Sequence, residues 1–145
     1  MATSFQVTFD CADPSRVAKF WAAALGYKIQ DPPDGFESWE AFLSERGVPE
    51  SEWNSASAVV DPEGHGPRVY FQRVPEGKAV KNRVHLDLNV SGSRNDALEG
   101  RLDRIRSETD RMVAAGAIVI RPLAEENGDW WTVLQDPEGN EFCIQ

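Results

Sequence analysis

Cysteine is scarce in this chain. The two present, Cys11 and Cys143, are too few for a disulfide framework, and in a reducing compartment both are expected as free thiols. Long apolar runs are lacking as well. No stretch reaches the length that spans a bilayer, and MATSFQVTFD has neither the basic start nor the apolar block of a secretory leader. The expectation is a cytoplasmic protein. Basic excess is missing too: 15 Lys and Arg stand against 24 Asp and Glu, a net charge of −9. No basic stripe breaks that balance, which argues against nucleic acid and against a membrane surface as partners. The negative charge serves solubility.

Apolar side chains, by contrast, are plentiful enough for a core. The chain is 41% hydrophobic, with seven Phe and five Trp in 145 residues, which fits one domain or two small modules. No linker or low-complexity tract divides it. The most irregular segment, Asp31–Ser57, carries Phe36, Trp39, Phe42, Leu43 and Trp53 and is too aromatic for a solvated tether.

The order of elements occurs twice. Phe5–Asp10 alternates Phe5, Val7 and Phe9 against Gln6, Thr8 and Asp10, the pattern of a half-buried strand. Asp13-Pro14 supplies a helix cap and a first-turn proline. The following helix lines up Val17, Phe20, Trp21, Ala24 and Leu25 and stops at Gly26. YKIQ, SASAVV and RVYFQRV read as strands, with a short helix from Ser38 to Gly47 among them. Arg83–Val90 then alternates again, placing Val84, Leu86, Leu88 and Val90 opposite His85, Asp87 and Asn89. A helix over about 97–115 presents Leu98, Leu102, Ile105, Met112 and Val113 as one stripe. AIVIRPL, WWTVLQ and EFCIQ complete the set. Each half is β-α-β-β-β, and each contains the turn Asp-Pro-Glu-Gly, at Asp61 and at Asp136. Asp-Pro-x-Gly is a good turn anywhere; the matching order of elements makes the two copies corresponding corners of one repeated module. The modules are expected at about 1–75 and 81–145, together one α+β domain.

If Val7, Phe9, Val69, Phe71, Leu86, Leu88, Phe142 and Ile144 face the helices, the opposite sheet faces carry Gln6, Thr8, Asp10, Tyr70, Gln72, His85, Asp87, Asn89, Glu141 and Cys143. A solvated face accounts for such polarity. Sheets curling toward each other would make the same residues line a polar cleft.

The paired order, with DCADPSRVAKFWAAALGY after the first strand, RVYFQRVPEGKAVKNRVHLDL at the junction and VLQDPEGNEFCIQ at the end, resembles the vicinal oxygen chelate superfamily. It is closest to the glyoxalase-like and bleomycin resistance protein type. The resemblance covers essentially the whole chain and is specific for fold more than for reaction. It implies two βαβββ modules with curved mixed sheets around a cleft, the glyoxalase/bleomycin resistance/dioxygenase fold. The modules pair within one chain or through a dimer, and a homodimer is expected. Glyoxalase I, extradiol dioxygenases, fosfomycin-resistance proteins and bleomycin-binding proteins share this architecture, and a divalent metal, when present, sits in the cleft. By pattern the ligand positions fall near Gln6, Gln72, His85 and Cys143. His85 keeps a common ligand. Gln6 stands where His is frequent, and Gln72 and Cys143 where Glu is frequent.

Hard cations need carboxylate oxygens, and iron oxygenases need two His and a carboxylate. Two neutral amides supply neither, so no conventional metal cofactor is expected. Zinc on His85 and Cys143 would need a third anionic ligand from Asp10, Asp87 or Glu141. His85 with Asp87 on one strand face reads as a general base or substrate hydrogen-bonder, or equally as a structural histidine. Cys143 lacks a neighbouring cation in sequence and reads as a buried thiol. Cys11 lies on the core side, and His65 in a loop. Trp39, Phe42, Trp53, Trp130 and Trp131 line or cover an apolar pocket, or simply fill core. The ligand-binding set is therefore Gln6, Thr8, Asp10, Tyr70, Gln72, His85, Asp87 and Cys143. Two functions follow. One is a protein that binds a small molecule in the cleft between the modules, without metal catalysis. The other is a lyase, isomerase or dioxygenase-like enzyme using His85 with Asp87 or Glu141, with or without a divalent metal.

Overall fold

Asp13 and Gly26 bracket the first helix, α1 (Pro14–Leu25), in the computed structural model, which describes residues 2–145. The Asp13 carboxylate accepts from the Arg16 N–H at 3.2 Å. Gly26 takes φ 68°, the left-handed value that closes a helix at little steric cost. The buried face carries Val17, Ala18, Phe20 and Trp21. It packs on a four-stranded sheet of β1 (Val7–Cys11), β2 (Lys28–Ile29), β3 (Ala56–Val60) and β4 (Val69–Arg73), in the order β1-β4-β3-β2. The β1–β4 pair is parallel and the other two are antiparallel. Phe9 contacts both Trp21 and Phe71, with ring centroids 5.2 and 5.5 Å apart. Between β2 and β3 lies the aromatic insertion, with α2 (Trp39–Glu45) capped by Ser38. These elements form one compact unit, Met1–Gly77.

The second unit, Lys78–Gln145, repeats the plan. Its strands are β5 (Asp87–Leu88), β6 (Ile118–Glu126), β7 (Asp129–Gln135) and β8 (Glu141–Ile144), in the order β5-β8-β7-β6, again with one parallel pair and two antiparallel. Helix α3 (Leu98–Ala114) covers one face with Leu102, Ile105 and Met112. The two Asp-Pro-Glu-Gly turns join equivalent antiparallel strands, β3 to β4 and β7 to β8. Each Asp gathers downstream N–H groups: Glu63, His65 and Gly66 for Asp61, Glu138 and Asn140 for Asp136. The chain is thus an α+β protein of two βαβββ modules with mixed sheets.

Three expectations need correction. Phe5 precedes β1, whose pairing to β4 starts at Val7, and is 70% exposed rather than core. The strand expected over Arg83–Val90 shrinks to Asp87–Leu88 because β8 first bonds this segment through the Leu86 carbonyl. Val84, outside that ladder, is 80% exposed. In α3, Leu98 and Val113 fall at the margins of the stripe and are exposed; Thr109 takes the intervening inward position. Its hydroxyl bonds the Ile105 carbonyl at 2.8 Å and lies 3.4 Å from the Thr132 hydroxyl. None of the polar residues before α3 caps it, for the cap position is Ala97.

Candidate functional site

The face of the first sheet away from α1 is set by register. Thr8, Tyr70 and Ala58 form one row, and Asp10, Gln72 and Ala56 the next. The polar groups here bind one another. Gln72 Nε2 donates to Asp10 at 2.7 Å, and Gln6 accepts from Arg68 at 2.7 Å. Arg68 also donates to Gln30 at 2.7 Å, and its guanidinium lies over the Tyr70 ring, 5.1 Å from the centroid.

The insertion stands against this face as a wall. Trp39 Nε1 donates to the Gln30 carbonyl at 2.7 Å and Trp53 Nε1 to the Val48 carbonyl at 3.0 Å, so both indoles are fixed by the backbone. Asn54 ties the wall to α1. Its oxygen accepts from the Ser15 N–H and its amide donates to Asp13, each at 2.8 Å. Phe42 packs on Phe36 and Trp39 rather than on the sheet. Between wall and sheet is a pocket of about 590 Å³, bounded by Trp39, Leu43, Trp53, Tyr70 and Arg68, with Ala56 and Ala58 as its floor. The small floor residues are what leave the space. Tyr70 is the member of the sequence-derived set that lines it. Arg68, Gln30 and the two floor alanines were missed, since their role depends on register and not on residue type.

In the second unit, Asp87 lies opposite Cys143 in the β5–β8 register. His85, two residues before Asp87, brings Nε2 to 3.3 Å from its carboxylate. The donor atoms of His85, Asp87 and Cys143 all lie within 4.8 Å of one another. Burial pushes the Cys143 thiol up to about 11, and the Asp87 carboxylate, which accepts its S–H, adds to the shift. Lys81, Arg121 and Trp131 complete a depression of about 420 Å³, with Arg121 stacked on Trp131 at 4.5 Å. Glu141 is committed elsewhere. Burial pushes its carboxyl up, but the Asn82 N–H at 2.9 Å and the Lys78 ammonium at 3.1 Å outweigh that and hold it at about 2. A carboxylate so stabilised is a poor proton carrier at neutral pH, so Glu141 falls away as an acid-base partner of His85.

These residues fit a hard divalent cation badly. Gln6 and Gln72 are neutral and already engaged, and the thiol replaces a carboxylate. An imidazole, a carboxylate and a thiol converging from one sheet face are instead a zinc-type donor set. Asp87 is the carboxylate the structure places with the other two. Asp10 belongs to the first unit and holds Gln72 there.

The chain belongs to the Glyoxalase-like domain family, whose sequence profile matches residues 6–145. No curated protein matches. Several solved structures share the fold. A glyoxalase/bleomycin resistance protein/dioxygenase family enzyme from Burkholderia phytofirmans PsJN is 17% identical, with TM-score 0.60, over 96% of this chain and 94% of that one. TioX from Micromonospora sp. ML1 is 15% identical, with TM-score 0.54, over 99% and 97%. The E126Q mutant of the fosfomycin resistance protein FosX from Listeria monocytogenes, complexed with Mn(II) and 1S,2S-dihydroxypropylphosphonic acid, is 10% identical, with TM-score 0.61, over 100% and 90%. At these identities the likeness is one of fold.

Proposed function

We propose that this glyoxalase-like protein binds a small organic molecule with a flat apolar body, and that it does so without a hard catalytic cation. The carrying observation is the pocket of the first unit, walled by Trp39 and Trp53 and floored by Ala56 and Ala58. A pocket of this size, with indole walls and polar groups such as Gln30, Asn54 and Arg68 at its margin, suits a small organic molecule that is apolar in part. Because both indoles are held by hydrogen bonds to backbone carbonyls, little side-chain freedom is lost on binding. Each aromatic contact contributes about 0.5–1.5 kcal/mol beyond the area it buries. The pocket lies within the first unit, on the sheet face away from α1. Calorimetry with 1-naphthol tests the proposal. Binding by the native protein, weakened on the order of tenfold by Trp53→Ala, supports it. No binding by 1-naphthol, or equal binding by the variant, counts against it.

A second reading has one observation behind it, the convergence of His85, Asp87 and Cys143. These three residues would hold zinc, which supplies Lewis acidity and an activated water when bound. Arg121 and Lys81, beside the cluster, would orient an anionic substrate. Metal analysis of the purified protein tests this second reading. Stoichiometric zinc that disappears in His85→Ala would favour the enzyme.

A further inference from the structure

The cation bordering the pocket of the first unit is Arg68. Arg68 is half-buried at its edge and makes hydrogen bonds to two neutral amides, Gln30 and Gln6, both at 2.7 Å. Among the described residues no carboxylate lies within ion-pair reach of it. Six of the eleven arginines, Arg73, Arg94, Arg104, Arg106, Arg111 and Arg121, are paired with an acid; Arg68 is not among them, and it is the arginine that borders the pocket.

The arrangement also fixes the guanidinium. The two amides accept from its Nε and Nη1 edges, while the Tyr70 ring supports its face. Its remaining N–H groups are left for a partner. A planar, immobilised guanidinium with free N–H groups suits a carboxylate, whose two oxygens accept parallel hydrogen bonds. The adjoining walls are indoles. Two carboxylates also border the pocket. Glu52 is neutralised by Arg73 at 2.7 Å, but Glu40, at the first turn of α2, is exposed and repels a second negative charge.

We propose that the ligand of this pocket is an aromatic monocarboxylate, with its ring between Trp39 and Trp53 and its carboxylate on Arg68. This rests on the pocket reading above and adds the chemical class. The sheet-face amide Gln6 thereby acquires a role. It holds the reading arginine and not a metal.

The test compares 1-naphthoate, methyl 1-naphthoate and 1-naphthyl phosphate by calorimetry on the native protein and on Arg68→Gln. A charge-assisted pair predicts that 1-naphthoate binds on the order of tenfold to a hundredfold more tightly than its methyl ester. The phosphate, a dianion, binds more weakly than the carboxylate. In Arg68→Gln the preference for acid over ester disappears. Ester and acid binding equally to the native protein would overturn the carboxylate assignment and leave the pocket reading standing. Neither binding would overturn both. The comparison of ligands on native protein needs no variant, so a poorly folded Arg68→Gln does not blunt it.

Discussion

Replacing Asp136 by Ala and, separately, Asp61 by Ala removes the same side chain from the two copies of one turn. Asp136 is 2% exposed. Its carboxylate accepts from the N–H groups of Glu138 and Asn140, both at 2.9 Å, and from the Asn140 side-chain amide at 2.9 and 3.1 Å. Hydrogen bonds to a charged group contribute about 1.5–3 kcal/mol each. Sharing one acceptor group, they do not add. Truncation also leaves the donors in a half-buried turn, around a buried position that water reaches poorly. The expected cost is about 3–5 kcal/mol. For a chain of this length 1 kcal/mol moves Tm by roughly 3 °C, so Asp136→Ala should lower Tm by about 10–15 °C. Asp61 accepts three backbone N–H bonds at 2.8–3.0 Å, but its turn faces solvent, and water replaces the lost acceptor. Its variant should lose clearly less. Thermal unfolding followed by circular dichroism, with urea titration as a second measure, gives both numbers. Equal losses at the two positions would refute burial as the deciding factor.

Other outcomes follow from the same geometry. Asp13→Ala removes the cap of α1 and the anchor of Asn54, and should cost about 1–2 kcal/mol, read by the same unfolding experiment. The Asn54 amide and then the Arg16 N–H hold the Asp13 carboxyl below its ordinary value. Its contribution is therefore complete above the unfolded value of about 4 and is lost as pH falls through the lowered folded value. The stability gap between native protein and Asp13→Asn should be constant from neutral pH down to about 5 and close below it. Cys143, protonated at neutral pH and buried, should resist an aromatic disulfide reagent at pH 8 until denaturant is added; rapid labelling of the folded protein would contradict that. Manganese and magnesium should leave Tm unchanged. Zinc should raise it if the His85 cluster binds metal, and that rise should vanish in His85→Ala.

Much of the fold was legible because it depends on local signals. The Asp13-Pro14 start and Gly26 stop of α1, the Ser38 cap of α2 and the repeated turn are each written in a few adjacent residues. The topology followed from finding them in the same order twice. What failed lay at element ends. Alternation continued through Phe5 and Val84, but a strand ends where its partner does, and the partner is remote in sequence. The candidate site was legible by half. Alternation placed Gln6, Tyr70, His85, Asp87 and Cys143 on polar faces. It could not show that Gln6 and Gln72 are bound to Arg68 and Asp10, or that Glu141 is bound to Lys78 and Asn82. Those pairings span more than fifty residues and depend on register. The alanine floor was invisible for a different reason: Ala56 and Ala58 matter by the volume they do not fill.

The central claim is that a ligand enters between Trp39 and Trp53. The five tryptophans give five indole N–H signals, and titrating 1-naphthoate into the labelled protein reads each one. Saturable shifts are expected at Trp39 and Trp53, both on the pocket wall, with Trp21 in the core unmoved. Shifts confined to Trp130 and Trp131, or no saturable shift at all, would contradict it.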